Sequence, residues 1–467
     1  MRKRTAGLLT VALLASAVPP LLLAPPAAAA AAKYADDFNG DGYRDLALGD
    51  PTATVGGKKE AGAVVVVWGS ATGLDTAKRT VVTQNTPNVA GTAETGDSFG
   101  ADITTVDLDK DGYGDVIATA PAEADGSYHG TFTVLWGSRS GLTRGSSHHN
   151  PACKTCGFAK DLAVGDFNGD GRQDVVAVDD EHIWYLRGPF TKSGGRGAAT
   201  NLDPVDGEDI NPELVVSGKV TKDGTADFAV IGYDADTWTN RVWFYRGGAG
   251  GPAKPTKKTG LPSSSDVYGI SAQIADFDKN GYGDLAVGIP RGGRGGVVHV
   301  LRGTSTGPSS TVKTLSQNTA GVPDVSESGD GFGGDVSAWD TNGDGYPDLA
   351  VGSSMEMLGG SYFREGAVTV LRGGTSGLTG KNARQYSHAT TGVEGEPTED
   401  AWLGTSVLLR DYNRDNRAEL VATAPEMGRL HLLRGTASGP TGAGSTLLTA
   451  AQLGLGSRPY FGARLAD

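Results

Sequence analysis

The chain has 467 residues, a formal net charge of −13, 72 glycines and only two cysteines. An acidic chain without a basic patch gives no support to a nucleic-acid-binding role, and two cysteines are too few to hold a fold of this length. Short runs of Val, Tyr and Trp between many glycines predict an all-β chain with tight turns.

The N-terminus has the pattern of an export signal. Arg2 to Arg4 precede an uncharged, mostly apolar run that ends in the alanine-rich stretch 27–32. This pattern predicts a signal peptide over residues 1–32, a mature start near Ala31 or Lys33, and one domain over residues 33–467. A membrane anchor is the alternative, but prolines interrupt the run, and the rest of the sequence contains no apolar stretch long enough to span a membrane. We therefore expect a secreted, extracellular protein.

One pattern occurs seven times along the chain. An acidic loop is followed by a short apolar strand such as Leu285–Gly288, and then by a second strand and a turn such as Gly62–Ser70. The loops begin at Asp37, Asp107, Asp166, Lys219, Asp276, Asp340 and Asp411. Strands bounded by glycine and serine turns predict small antiparallel sheets.

The two ends of the chain decide how these sheets are arranged. A single small sheet cannot bury both of its faces, so the repeats must stack into a ring or into a solenoid. The tail at 460–467 copies the lead-in seen at 99–103 and 332–336, and it stops where an eighth loop would begin. A repeat shared between both ends closes a ring, which predicts an all-β, seven-bladed β-propeller closed by its C-terminal segment.

The repeats resemble FG-GAP repeats, which occur in integrin α-chain propellers and in many secreted bacterial integrin-like proteins. The Phe-Gly pair stands at Phe99, Phe332 and Phe461, while the final proline element is reduced to Pro121, Pro290 and Pro425. The resemblance covers nearly all of the mature chain. It implies a seven-bladed propeller with Ca²⁺ bound in its loops and ligand recognition on one face. The third and fourth repeats depart from it, because they lack both the Phe-Gly pair and the proline.

The acidic loops have the residue types that Ca²⁺ requires. Ca²⁺ takes six to eight oxygen ligands, and side chains at loop positions 1, 3, 5 and 9 together with the position 7 carbonyl can supply them, while glycine at position 6 permits the bend. Five loops match in full: Asp37, Asn39, Asp41, Tyr43 and Asp45; Asp107, Asp109, Asp111, Tyr113 and Asp115; Asp166, Asn168, Asp170, Arg172 and Asp174; Asp276, Asp278, Asn280, Tyr282 and Asp284; Asp340, Asn342, Asp344, Tyr346 and Asp348.

The two other loops depart from the pattern. The seventh has Asp411, Asn413, Asp415, Arg417 and Glu419, but Asn416 replaces the glycine. Asn tolerates positive φ, so we expect a weaker site there. The fourth loop has Lys219 at position 1, and its ammonium would occupy the place of the metal charge, so we expect no ion. The chain is therefore predicted to bind about six Ca²⁺ ions, the alternative being solvated turns without metal.

Three other features have competing interpretations. Cys153 and Cys156 form a local disulfide or, with His148 and His149, ligate zinc. The G-x-S-x-G match at Gly303–Gly307 is the turn of a repeat rather than a nucleophile elbow. In all seven repeats, the residue just before the glycine that ends the long strand has a large side chain. These residues are Trp68, Trp136, Arg187, Arg246, Arg302, Arg372 and Arg434. These arginines either pair with carboxylates of neighbouring blades or form a ring that binds anions or sugars.

The leading functional hypothesis is a non-catalytic extracellular binding or adhesion module. We expect a monomer whose segments Gln84–Ser98, Gly126–Lys160 and Gln317–Gly331 contact an extracellular protein or glycan. The alternatives are a glycan-binding lectin and a polysaccharide-active enzyme on a propeller scaffold.

Overall fold

The computed structural model describes residues 31–466, except 126–127, 150–156, 203–209, 235–236, 238, 253, 263–268, 359–361 and 456–463. Cys153, Cys156, Phe461 and most of the predicted signal peptide lie outside the described residues. None of the helices among the described residues is long and apolar enough to cross a membrane.

Within the described ranges, the secondary structure consists of short strands and a single 3₁₀ turn, Pro425–Met427. The strands are β1 (Leu46–Asp50), β2 (Ala63–Val67), β3 (Arg79–Val82), β4 (Ile103–Val106), β5 (Asp115–Asp125), β6 (Tyr128–Trp136), β7 (Arg144–His149), β8 (Asp161–Gly165), β9 (Asp174–Val178), β10 (Ile183–Leu186), β11 (Ala199–Asn201), β12 (Ile210–Gly218), β13 (Asp227–Asp234), β14 (Thr239–Tyr245), β15 (Lys257–Gly260), β16 (Ser271–Ala275), β17 (Asp284–Ile289), β18 (Val297–Leu301), β19 (Val312–Leu315), β20 (Phe332–Trp339), β21 (Asp348–Ser353), β22 (Ala367–Arg372), β23 (Thr379–Tyr386), β24 (Val407–Arg410), β25 (Glu419–Ala424), β26 (Arg429–Arg434), β27 (Thr441–Thr449) and β28 (Arg464–Leu465).

These strands form seven four-stranded antiparallel sheets, which are the blades of a propeller. Blades two to seven each use four consecutive strands, from β4–β7 to β24–β27. Blade one has the order β28-β1-β2-β3, so its first strand comes from the C-terminus. Leu465 pairs with Leu48 and Arg464 with Gly49. The predicted seven-bladed propeller and its closure by the C-terminal segment are confirmed.

The core consists of seven apolar layers, one between each pair of adjacent blades. Strand β2 shows why its sequence is continuously apolar. Val64 and Val66 pack in the layer shared with blade two, while Val65 and Val67 pack in the layer shared with blade seven. Because alternate side chains point to opposite faces, a strand buried on both faces needs apolar residues at every position.

The topology separates the connections onto two faces of the ring. In blades two to seven the acidic loops join the first strand to the second, and in blade one the loop precedes the second strand β1, so they all lie on one face, which we call the loop face. The segments that lead from the fourth strand of one blade to the first strand of the next lie on the other face, which we call the crossover face. This separation places the two groups of candidate functional residues described below.

Candidate functional site

Each acidic loop is shaped by its own side chains. In the loop at 276–284, the Asp276 carboxylate accepts hydrogen bonds from the backbone N–H groups of Asn280 (3.0 Å) and Gly281 (2.7 Å). The backbone N–H of Tyr282 donates to the Asn280 side chain at 2.8 Å. Gly281 has φ +85°, a conformation that most residues avoid. The same pattern recurs in the loop at 37–45, where Gly42 and Tyr43 donate to Asp37 and Asp41.

Position 7, predicted to supply a carbonyl ligand, also shapes the loop through its backbone N–H. In six loops this N–H donates to the side-chain oxygen of position 5 at 2.8–3.1 Å. The donors are Tyr43, Tyr113, Arg172, Tyr282, Tyr346 and Arg417. The position 5 side chain is thereby oriented within the loop, alongside position 1.

The position 9 carboxylate joins each loop to its own blade. Asp284 accepts hydrogen bonds from the N–H of Phe277 (3.2 Å) and from the N–H of Gly303 (2.8 Å), the glycine after the third strand. Asp45 receives the matching pair from Phe38 and Gly69. Seven buried carboxylates hold this position: Asp45, Asp115, Asp174, Asp227, Asp284, Asp348 and Glu419. The motif predicted this residue as a metal ligand, but its role as a link between loop and strand was missed.

Three carboxylates converge in each of two loops. Asp107, Asp109 and Asp111 each offer an oxygen within 4.8 Å of the others, and so do Asp276, Asp278 and Asp284. One oxygen of Asp109 is buried without a hydrogen-bond partner. Burial raises the pKa of Asp284 to about 6, with smaller contributions from Asp278 and Asp276. A bound cation would stabilise the ionised form of such carboxyls, so the donor set fits Ca²⁺.

The seventh loop keeps the shared geometry despite its asparagine. Asn416 has φ +65°, and its N–H donates to Asp411 at 2.9 Å, as the glycine does in the other loops. The expectation that Asn adopts positive φ here is confirmed. The longer Glu419 accepts from the N–H of Tyr412 and from the side-chain amide of Asn413. The side-chain amide of Asn413 therefore donates a hydrogen bond to Glu419, although both residues were predicted to be ligands of the same ion.

The fourth loop uses a different cation from the one expected. Lys219 is exposed, and the loop carboxylate Asp223 instead accepts a hydrogen bond from the guanidinium of Arg246 at 2.8 Å. Desolvation is the largest single influence on the pKa of Asp223 and raises it, but the hydrogen bonds from Thr225 and Arg246 together outweigh it and lower the pKa to about 2. The Thr221 hydroxyl donates to Asp227. An arginine thus supplies positive charge at this loop.

Four of the five arginines before the strand-ending glycine contact a carboxylate of their own blade, whereas one of the two predicted alternatives was pairing with a neighbouring blade. Arg302 contacts Asp278 at 2.5 Å, Arg372 contacts Asp348 at 2.7 Å, and Arg187 lies 3.9 Å from Asp170. The third strand ends on the loop face, which brings its last side chain to the loop. Arg434 is exposed, and the indoles of Trp68 and Trp136 donate to hydroxyls on the adjacent strand. The acidic loops and the side chains before the strand-ending glycine therefore lie together on the loop face.

Neighbouring loops are connected around the ring. The position 8 N–H of one loop donates to the position 1 carbonyl of the preceding loop, as in Gly283 to Lys219 (3.0 Å) and Ala418 to Asp340 (2.9 Å). Cationic side chains at position 4 lie over position 7 tyrosines, with Lys222 4.3 Å from the ring centre of Tyr282. These contacts were invisible in the sequence because they join different repeats. They make the loops a continuous belt on the loop face.

The axis of the ring carries a second charged set that sequence reasoning missed. The first strands surround a cavity of about 230 Å³ lined by Asp102, Asp161, Asp335 and Arg464, among others. Asp335 accepts from the N–H of Val407 (2.7 Å) and Asp161 from that of Val215 (2.6 Å), each on the next blade. Asp102 stands just before β4, Asp161 begins β8 and Asp335 lies within β20, so each belongs to the start or the body of a first strand. These acids tie adjacent first strands together.

The zinc alternative is only partly covered by the described residues. His148 is buried in an aromatic group, stacked on Phe132 with 5.1 Å between ring centres and edge-on to Phe190 at 5.3 Å. Burial lowers its pKa to about 4. His148 therefore serves the core between blades two and three. The choice between a disulfide and zinc at Cys153 and Cys156 lies outside the described residues and stays open.

Comparison with known proteins adds two repeat models. The model of the FG-GAP repeat matches residues 35–67, 268–301 and 332–371. The chain contains FG-GAP repeats. A model of the FG-GAP-like repeat matches residues 107–177. In these FG-GAP blades, Phe99 and Phe332 of the signature are fully buried in the layers between blades.

The FG-GAP propeller is also similar to parts of larger proteins. Integrin alpha-5 of Xenopus laevis is 27% identical over 260 residues, which is 51% of this chain and 24% of that protein. Integrin alpha-7 of Homo sapiens is 27% identical over 230 residues, 44% of this chain and 18% of that protein. Phosphatidylinositol-glycan-specific phospholipase D of Rattus norvegicus is 29% identical over 164 residues, 34% of this chain and 18% of that protein. The chain thus spans about a quarter or less of each relative.

Proposed function

We propose that this protein is a secreted, calcium-stabilised FG-GAP propeller that acts as a non-catalytic extracellular binding module. The observation that carries the proposal is the belt of acidic loops on one face of a closed ring. The likeness to integrin alpha chains over about half of the chain supports the same conclusion.

Five loops would hold Ca²⁺ through the side chains at positions 1, 3, 5 and 9 and the carbonyl at position 7, with the seventh loop a weaker site. The fourth loop would bind none, because Arg246 already neutralises Asp223. The position 9 carboxylates keep unused lone pairs beside these ligands. About six ions per chain follow, and the Ca²⁺ supplies rigidity rather than chemistry.

The partner is proposed to be an extracellular protein or a glycan. The crossover face carries the longest connections, including segments 84–98 and 317–331, and loops on a rigid scaffold are the usual place for recognition. The sharpest test is a screen of glycan arrays and immobilised extracellular proteins with and without Ca²⁺. Saturable binding that disappears on chelation supports the proposal. Release of products from a polysaccharide substrate would instead favour the enzyme alternative.

A second candidate function is action on glycan-linked phosphatidylinositol, favoured by the likeness to phosphatidylinositol-glycan-specific phospholipase D. The match covers only 18% of that protein. Incubation of the purified chain with a membrane protein carrying such an anchor tests this candidate. Release of the protein into solution would establish catalysis, and binding to the anchor without release would keep the protein a binding module.

The processing of the chain is also part of the proposal. We propose cleavage after the signal peptide 1–32, a monomeric single-domain propeller over 33–467, and a local disulfide between Cys153 and Cys156. Intact-mass measurement of protein recovered from the medium, before and after reduction and alkylation, reports the mature start and the thiol state. Light scattering reports the oligomeric state. Recovery of the full-length chain inside cells would contradict export.

A further inference from the structure

Three segments of equal length on the crossover face connect consecutive blades. They are residues 84–100, 317–333 and 388–404, and they join blade one to two, five to six and six to seven. The first two begin with Gln-Asn-Thr and contain Glu-x-Gly-Asp before the Phe-Gly pair. The third segment has the same length but different residues at these positions, so it can be compared directly with the first two.

The segment 317–333 brings three carboxylates together with the next blade. Glu327, Asp330 and Glu356 each offer an oxygen within 4.8 Å of the others. Glu356 comes from blade six, just after β21, and both it and Asp330 are buried. The turn is fixed because Asp330 accepts a hydrogen bond from the N–H of Glu327 at 2.6 Å. Three carboxyl groups therefore meet between two blades.

The positive charge near this cluster is small. The guanidinium of Arg294 lowers the pKa of Asp330, but burial and the neighbouring carboxylates Glu327 and Asp324 outweigh it, so the pKa is raised. Burial, followed by repulsion from Asp324 and Asp330, raises the pKa of Glu356 to about 8. The protein side chains around the cluster thus leave its negative charge largely uncompensated.

A buried glutamine faces the same cluster. Gln317 is fully buried, and its Nε2 donates a hydrogen bond to Glu356. The Oε1 atom of the same amide is buried and has no hydrogen-bond partner. An unpaired buried carbonyl oxygen is energetically unfavourable. A half-turn of the amide presents this oxygen to the cluster, where it could ligate a bound cation, because the ionised carboxylates offer it no hydrogen-bond donor.

The segment 84–100 repeats the residue types, the turn and the glutamine hydrogen bond, while of the two segments only 317–333 is seen to bring three carboxylates within 4.8 Å of one another. Gln84 is buried, its Nε2 donates to Glu123 of blade two at 2.6 Å, and its Oε1 is likewise buried without a partner. Asp97 accepts from the N–H of Glu94 at 2.5 Å, as Asp330 does from Glu327. Asp97 also lies within hydrogen-bonding reach of Glu123. The same residues occupy the same positions in two repeats, which indicates that they act together as a group.

The third segment shows what replaces this group. His388 stands at the position of the glutamine, and its Nδ1 contacts Glu365 at 2.5 Å while its Nε2 lies 3.0 Å from Nε2 of His431. Thr398 and Ala401 stand where the other segments have Glu and Asp. Here an imidazole rather than an amide contacts a buried carboxylate. The acids and the glutamine are therefore present together or replaced together.

We propose that the two clusters on the crossover face each bind a Ca²⁺ ion that clips neighbouring blades together. The ligands are Glu327, Asp330, Glu356 and the amide oxygen of Gln317 between blades five and six, and Glu94, Asp97, Glu123 and the amide oxygen of Gln84 between blades one and two. Ca²⁺ accepts such an all-oxygen set at 2.3–2.6 Å and completes its shell with water. These sites are separate from the acidic loops, which lie on the loop face and within single blades.

The test counts the ions bound by the full mature chain. Protein stripped with chelator is dialysed against about 5 mM Ca²⁺, above the dissociation constants of about 10⁻⁴–10⁻³ M typical of extracellular modules, and bound Ca²⁺ is measured by mass spectrometry of the metal. We expect Glu356→Gln and Glu123→Gln each to bind one ion fewer than the unmodified chain, and the double variant two fewer. Both changes keep the side-chain size and remove a buried charge, so they preserve folding.

The matched control is Glu399→Gln, the same substitution at an exposed position of the third segment, which should leave the count unchanged. Equal counts for the unmodified chain and Glu356→Gln would overturn the proposal, whatever number of ions the acidic loops bind. A second measurement avoids substitutions altogether. Crystals of the unmodified protein soaked in Mn²⁺ should show anomalous scattering between Glu327 and Glu356, and a loop-only signal would overturn the assignment.

Discussion

The loops at 276–284 and 219–227 share a backbone but differ in charge. In both, the position 9 carboxylate accepts two backbone hydrogen bonds, Asp284 from Phe277 and Gly303, and Asp227 from Thr221 and Gly247. The glycine at position 6 has φ +85° in one and +96° in the other. The anchoring of the loop through position 9 therefore does not require acids at positions 1 and 3, although the loop donor is position 2 in one loop and position 3 in the other.

The difference lies in what surrounds the remaining acids. In the loop at 276–284, three carboxylates converge. In the loop at 219–227, Arg246 pairs with Asp223 and Thr221 donates to Asp227. The comparison teaches that the residues that build the loop are separate from those that attract a cation. The following predictions test that separation, from the largest expected effect to the smallest.

Removal of Ca²⁺ should lower the thermal unfolding midpoint strongly. A ligand at 100 times its dissociation constant stabilises the folded state by about 2.7 kcal/mol per site, and several loops contribute. Differential scanning calorimetry with Ca²⁺ and with excess chelator measures the change, and Mg²⁺ at the same concentration is the control. An unchanged midpoint would mean that the acidic loops are ordinary turns.

Asp284→Ala and Asp227→Ala should destabilise the chelated protein to a similar extent. Each leaves two backbone N–H groups without an acceptor, at about 1–3 kcal/mol for each buried group, so we expect a loss of about 2–6 kcal/mol. Denaturant unfolding in chelator provides the measurement, with Asp223→Ala at an exposed position as the control. A large effect at Asp284 alone would show that the two loops do not share a scaffold.

Exchanging the charges should exchange the metal binding. Asp276→Asn removes the ligand charge at position 1 and should lose one bound Ca²⁺. The double change Lys219→Asp with Thr221→Asn restores the full pattern in the fourth loop and should gain one. Equilibrium dialysis counts the ions, and Lys219→Ala alone should gain none. If the double variant binds no additional ion, Arg246 rather than position 1 governs this loop.

Acid sensitivity of the chelated protein should come partly from buried histidines and not from the loops. Burial lowers the pKa of His148 to about 4, below its ordinary 6.5, so the unfolded chain takes up protons more readily than the folded one. The stabilisation is complete above pH 6.5 and is lost as the pH falls toward 4, by at most about 1.4 kcal/mol per pH unit. His148→Phe should flatten this decline in urea unfolding, whereas exposed His129→Phe should not. An equally steep decline in both variants would assign the acid sensitivity elsewhere.

Much of the fold could be predicted from the sequence because its evidence is local and repeated. The count of seven loops gave the blades, and the copied tail gave the closure that Leu465 and Leu48 form. The Asn416 conformation followed from the chemistry of one residue. The charge partners were harder, since Lys219 proved exposed and Arg246 took its place. The repeat pattern shows which residue types occur at each loop position, but it does not show which long side chain contacts the carboxylate of that loop.

The sequence by itself determined the repeat, the loop backbone and the ring, because each depends on a short pattern of glycine, acids and apolar residues. Only the tertiary structure decided which charges meet. Arg302 reaches Asp278 across one blade, and Gln317 reaches Glu356 across the boundary between two. Such contacts join segments far apart in the chain, and their geometry exists only after the blades have packed. The acidic loops could thus be read from the sequence, whereas the clusters between blades became visible only in the folded ring.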